Sequence, residues 1–239
     1  QQSGAGITAW RGYGMDGRIG VGLYTPAEAG RLLHVSPSKI SRWLKGHSIA
    51  GRDYLPLWVP AVEFTNERTI LGFRDLMEIR VADAFLRAGV SAIQVRAAIE
   101  YAREVLDEKY PLSAERFKTD GRSILLRVFE NDAEGTERER LLNLFRRQYE
   151  FKEVIEPILK TVDFDDSGSP RLWYPAGRRI NILVDPMRAF GQPIDGITSV
   201  PTAVLATSAA ALGIEETSIA YDVPEGSVRR AVEFEHSLN

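Results

Sequence analysis

The 239-residue chain contains no cysteine, which excludes disulfides, thiolate metal sites and cysteine nucleophiles together. Histidine is scarce too. His34, His47 and His236 are its three histidines, and no two are spaced to share a metal on one helical turn, so a zinc enzyme is not expected. The chain has no apolar run as long as a membrane span, and no signal-peptide pattern opens it. A cytoplasmic protein without a membrane partner is the expectation. No nucleophile–base pair or phosphate loop survives inspection either, so no catalysis and no cofactor is expected. Gly12-Tyr13-Gly14-Met15-Asp16-Gly17 matches a dinucleotide fingerprint, but Arg18-Ile19-Gly20-Val21-Gly22 follows where a helix would have to open. Residues 1–21 read instead as a flexible arm in which Met15 is a possible natural start.

What is present is an ordinary globular composition, 44% hydrophobic and 26% charged, with one stretch that stands out. Tyr24 to Gly46 reads as two short helices joined by a tight turn. Thr25-Pro26-Ala27-Glu28 is a capping box with proline at the first helical position, and Ser36-Pro37 repeats the start signal. Gly46 closes the second helix. Within that helix Ile40, Trp43 and Leu44 fall at helical spacing and are predicted to point inward. Ser38, Ser41, Arg42 and Lys45 form the outer stripe, small and polar at one end and basic at the other. Such a face can enter a major groove, where Ser, Lys and Arg meet base edges or phosphates.

Charge supports the same reading. From Ala29 to Arg52 there are five Lys or Arg and no Asp or Glu, in a chain of net charge −3. The bland account is a solvated helical hairpin; caps, stripe and local charge reversal together favour a DNA-binding helix-turn-helix. Ser38, Lys39, Ser41, Arg42 and Lys45 are its candidate DNA contacts. Arg52, at the tip of an aromatic-rich ribbon or wing expected over 47–62, is a candidate phosphate contact. Helices are predicted over Phe73–Ala88 and from the Ser91-x-x-Gln94 box to about Glu108, the second with Ala98, Tyr101, Ala102 and Val105 on its apolar side. They complete a domain at 22–110, and dimerisation on two half-sites is expected.

Beyond Pro111 the signals change. Asp120-Gly121, between two strand-like runs, predicts a hairpin over 116–126, and a charged helix is expected at about 137–160. Asp163, Asp165 and Asp166 suggest a calcium loop or a nuclease metal site. The calcium loop's twelfth position is Tyr174 rather than a bidentate glutamate, so the acids read as a solvated hairpin turn. Residues 111–180 are taken as a hairpin-and-helix connecting region. Residues 181–239 hold three basic and eight acidic side chains, against seven and three in residues 1–60. The two ends thus suit different partners. The last segment echoes the opening motif as a small tri-helical, helix-turn-helix-like unit, for protein binding or dimerisation. The fold class is mainly α with small β-hairpins, α+β.

Gly22 to Ala29, Arg42-Trp43-Leu44-Lys45-Gly46, Phe73 to Arg80, Phe117 to Arg122 and Asp185-Pro186 through Gly196, in that order, resemble the VapB-type antitoxins with a MerR-like N-terminal half. The resemblance implies a MerR-like winged helix-turn-helix domain that binds operator DNA and represses its own operon. It also implies a C-terminal domain that neutralises a PIN-like ribonuclease toxin. PIN-like active sites are acidic, so an inserted arginine suits them. Arg188, Arg229 and Arg230 are the only basic residues beyond residue 180, and are the candidate toxin contacts. The alternative is a MerR-like transcriptional regulator responding to a small ligand near Trp173 and Tyr174.

Overall fold

A computed structural model describes residues 22–49, 51–58, 62–63, 69–131, 153 and 155–238. The arm expected at 1–21, and the charged helix expected at 137–160 up to Lys152, lie outside the described residues. Within them the chain is mainly helical with small antiparallel sheets. It begins with α1 (Pro26–Leu33) and α2 (Pro37–Lys45), followed by the ribbon β1 (His47–Ile49) and β2 (Arg52–Tyr54) and the short pair β3 (Val62–Glu63) and β4 (Thr69–Ile70). Tyr24 bridges to Leu71, which closes this part onto the start of α3 (Phe73–Arg87).

α3 is the helix on which the N-terminal part rests. Leu76, Met77, Ile79, Val81, Ala82, Ala84 and Phe85 are buried, and so are Asp75, Glu78 and Asp83. Buried carboxylates are costly unless satisfied. Asp75 accepts from the Trp58 indole N–H at 3.2 Å and from the Gly72 N–H at 2.8 Å, and Glu78 accepts from the Ser113 N–H and hydroxyl at 2.9 and 3.0 Å. Burial pushes the Glu78 carboxyl up to about 8. α4 (Ala92–Leu106) starts at the expected Ser91–Gln94 box but buries Val95, Ala98, Ile99, Ala102 and Leu106. Val105, expected on that face, is exposed, because the stripe drifts by one position along the helix.

The hairpin expected at 116–126 is a helix, α5 (Glu115–Asn131). Phe117, Ile124, Leu125 and Val128 are buried at helical spacing, and this period overrides the local turn preference of Asp120-Gly121. Gly121 serves packing instead: a Cβ there would lie 3.0 Å from the Phe117 ring. After α6 (Glu156–Leu159), β5 (Val162–Phe164), β6 (Pro170–Trp173), β7 (Ile182–Val184) and β8 (Pro193–Asp195) form one antiparallel sheet in sequential order. The hairpin expected around Asp165 is the β5–β6 connection. Three helices follow, α7 (Thr202–Leu212), α8 (Ile214–Tyr221) and α9 (Glu225–Ser237), around a small core of Leu205, Val223, Val228 and Ala231. A single larger core runs from α1 and α2 through α3, α4 and α5 to Val162, Trp173 and Val184 of the sheet.

Candidate nucleic-acid interface

Both helices of the N-terminal pair form by the capping chemistry their sequences carry. The Thr25 hydroxyl accepts from the Glu28 N–H at 3.2 Å while Glu28 accepts from the Thr25 N–H at 2.7 Å. The Ser36 hydroxyl accepts from the Lys39 N–H at 3.3 Å. Between the helices the chain reverses through His34, whose φ of 52° is left-handed, and the Val35 N–H reaches back to the Gly30 carbonyl at 3.0 Å. Gly30 leaves room for a close approach of the Val35 carbonyl. A Cβ there would stand 2.5 Å from the Val35 carbonyl oxygen, closer than any packed contact.

α2 is pinned from within. Ile40, Trp43 and Leu44 are buried, and burying side chains of this size contributes about 1.5–3 kcal/mol each. Lys39 swings inward rather than joining the outer stripe. Its ammonium sits 2.9 Å from Asp83 of α3 and over the Trp43 ring at 4.9 Å. Asp83 also takes Arg87 at 2.5 Å, and Arg87 donates onward to the His34 carbonyl at 2.8 Å. One buried carboxylate therefore ties the second helix and the turn to α3. Asp83 lies 44 residues from Lys39 in sequence, and Arg87 53 from His34, so only three-dimensional structure brings them to the site.

On the outer side Ser38, Arg42 and Lys45 are exposed and Ser41 is half-buried, an arrangement that leaves the Arg42 guanidinium facing solvent. Gly46, with φ of 72°, then lets the ribbon fold back over the end of α2; a Cβ there would be 2.5 Å from the Tyr54 carbonyl oxygen. Within the ribbon the His47 and Tyr54 rings stack at 4.9 Å and Ser48 donates to Asp53. The backbone of Arg52 pairs with Ile49 beside the tip; its side chain is outside the described residues. A small cationic helix face flanked by a two-stranded ribbon is thus presented by a rigid support.

The three C-terminal arginines are not gathered into one cluster of free cations. Arg188 pairs with Asp185 at 2.6 Å and donates to Ser199 at 2.9 Å. Arg230 clamps α9 to the sheet through Asp195 at 2.6 Å. Burial pushes the Asp195 carboxyl up, but the hydrogen bonds from Arg230 and Thr198 more than reverse this. Arg229 meets Glu225 one turn back at 2.8 Å, both of them exposed. The aromatic pair considered for a ligand is covered: Arg80 lies over Trp173 at 4.9 Å, and Arg178 over Tyr174 at 4.6 Å. Arg178 also holds the Asp163 carboxyl below its usual range. Hydrogen bonds, the Ser167 hydroxyl first, do the same for Asp165. Among the described residues no three His, Asp or Glu side chains are grouped to hold a metal, and no helix is long and apolar enough to cross a membrane.

The first and last parts of the described chain meet. Arg31 of α1 pairs with Glu235 of α9 at 2.7 Å, the Tyr24 hydroxyl donates to the Gly191 carbonyl at 2.7 Å, and the Leu23 N–H reaches the Phe190 carbonyl at 3.1 Å. Gly191 permits the close approach at this seam, since it has φ of 82° and its Cβ would fall 2.3 Å from the Tyr24 oxygen.

No protein-family model matches the chain. It is 30% identical over 192 residues to "Putative antitoxin VapB45" of Mycobacterium tuberculosis (strain ATCC 25618 / H37Rv), covering 74% of this chain and 78% of that protein. It is 28% identical over 100 residues to "Uncharacterized protein Rv2308" of the same organism, covering 38% of this chain and 37% of that one. The crystal structure of Rv2018 from Mycobacterium tuberculosis superposes with a TM-score of 0.71 at 25% identity, over 90% of this chain and 99% of the other.

Proposed function

The chain belongs to the VapB-type antitoxin family of VapB45, and on that premise we propose that it neutralises a PIN-like ribonuclease toxin and represses its own operon through α2. The observation that carries the DNA half is the outer face of α2. Ser38, Arg42 and Lys45 are exposed there on a helix whose inner face is buried through Ile40, Trp43 and Leu44 and tied to α3 by the Lys39–Asp83 pair. In this reading α1 and α2 are a MerR-like helix-turn-helix and β1–β2 its wing. Arg42 reads base edges, Lys45 and Arg52 meet phosphates, and Lys39 positions the helix from behind. A homodimer sets two such helices on two half-sites.

For the toxin half, residues 181–239 are the binding unit. Of the arginines suited to an acidic active site, Arg229 is the one both exposed and paired to an exposed partner, so it can exchange Glu225 for a toxin carboxylate at little cost. Arg188 and Arg230 support the unit's own structure. The test is co-expression with the PIN-like toxin of its operon, followed by ribonuclease assay and DNA binding of the complex. A stable, inactive complex that retains operator binding is expected. An active nuclease in the presence of excess antitoxin would contradict the assignment.

A further inference from the structure

The C-terminal unit has a helix whose composition and position disagree. α7 has no charged residue from Thr202 to Leu212. Its inner side buries Thr202 and Leu205, and Ser208 bonds Thr217 of α8 at 3.0 Å. The outer side is nearly as apolar. Val204, Thr207, Ala211 and Leu212, with Tyr221 at the end of α8, line a shallow groove along the helix. Val204 is 39% exposed, Leu212 56% and Tyr221 42%. A helix apolar on all sides is ordinarily covered on all sides, and an apolar patch with a polar border marks an interaction surface.

The flanking sequence is acidic, which bears on what covers it. Between Arg188 and Arg229 the sequence has no Lys, Arg or His, while Glu215, Glu216 and Asp222, all exposed, follow directly on α7 and α8. A second copy of this chain laid on the groove would bring like charges together, which costs affinity. A ribonuclease must hold a polyanion, and does so with Lys and Arg around its cleft. We propose that the outer face of α7, completed by Tyr221, is the docking surface for the toxin, and that Glu215, Glu216 and Asp222 occupy basic positions with which the toxin holds RNA. The inference rests on the antitoxin reading above and names the surface that performs it.

The experiment titrates the full-length chain against the PIN-like toxin of its operon by isothermal calorimetry, with melting temperature and operator affinity recorded for every variant. Thr207→Arg with Ala211→Arg, both exposed and helix-compatible, is expected to weaken the complex by about 100-fold or more without altering melting or DNA binding. Glu215→Lys with Glu216→Lys, which leaves α7 untouched, is expected to weaken it by about tenfold at low salt and to flatten its salt dependence. Wild-type binding with unchanged affinity in both variants would overturn the surface and leave the antitoxin reading standing. Absence of wild-type binding would overturn that reading and the surface with it. Loss of self-association in the Thr207→Arg variant, with toxin affinity intact, would assign the groove to a second copy instead.

Discussion

Val35 and Val223 occupy the same place in two helix pairs, α1–α2 and α8–α9. The first helix of each pair has eight residues and ends on a left-handed residue, His34 at φ 52° and Asp222 at φ 53°. The next residue is a buried valine whose N–H reaches back five residues at 3.0 Å, to Gly30 in one pair and Ser218 in the other. One backbone turn has been made twice, and the surfaces differ completely. α2 exposes Ser38, Arg42 and Lys45, with no carboxylate in the helix, whereas α9 exposes Glu225, Arg229 and Glu233. The turn therefore fixes how two helices cross and says nothing about what the second helix binds. In the proposed reading, partner choice resides in the charge of one helix face.

The supports differ as well. α1–α2 rests on α3, with its three buried carboxylates, and α8–α9 on the uncharged α7 and the Arg230–Asp195 clamp. The largest effect is expected from breaking that clamp. Arg230→Ala leaves the fully buried Asp195 without its cation and is expected to cost about 3 kcal/mol in thermal or denaturant unfolding, whereas Arg229→Ala on the same helix costs about 0.5 kcal/mol. Equal costs would mean that the two arginines are not divided between support and surface.

Next is the turn itself. Gly30→Ala forces a Cβ onto the Val35 carbonyl and is expected to cost about 2 kcal/mol and to abolish DNA binding. At the matching position Ser218→Ala only removes a 2.6 Å hydrogen bond to the Val223 carbonyl, worth about 1 kcal/mol. A harmless Gly30→Ala would show that the first turn is looser than its distances.

The α3 support carries a pH signature. Glu78 holds its proton up to about pH 8 in the fold, against an ordinary value of 4.5. Between those values the unfolded chain has released a proton that the fold retains, so this group erodes stability as pH rises through the window and has no effect below it. Glu78→Gln keeps the acceptor for Ser113 and removes the titration. It is expected to gain on the order of 2 kcal/mol over wild type at pH 8 and nothing at pH 4; a pH-independent difference would contradict the burial argument.

Local chemistry made much of this legible in sequence. The caps at Thr25, Ser36 and Ser91 and the inward Ile40, Trp43 and Leu44 need only their own neighbours to be read, and they appear in the structure as expected. What escaped depends on distance. Lys39 looks like an outward cation until Asp83 of α3 is placed beneath it, and Asp120-Gly121 looks like a turn until the helical period through Phe117, Ile124 and Val128 is given more weight than the dipeptide. The buried carboxylates of α3, and the Tyr24–Gly191 seam across 167 residues, have no sequence signal that separates them from solvated acids and loop glycine.

The measurement closest to the central claim is fluorescence anisotropy of a duplex carrying the chain's own promoter, titrated with wild type, Arg42→Ala, Lys45→Ala and Arg229→Ala at two salt concentrations. Arg42→Ala is predicted to lose about 1–3 kcal/mol on the promoter and less on a scrambled duplex, and Lys45→Ala to weaken both duplexes alike with a shallower salt slope. Arg229→Ala is predicted to bind as wild type does. Unchanged binding by both the Arg42 and Lys45 variants would contradict the assignment of α2 as the recognition helix.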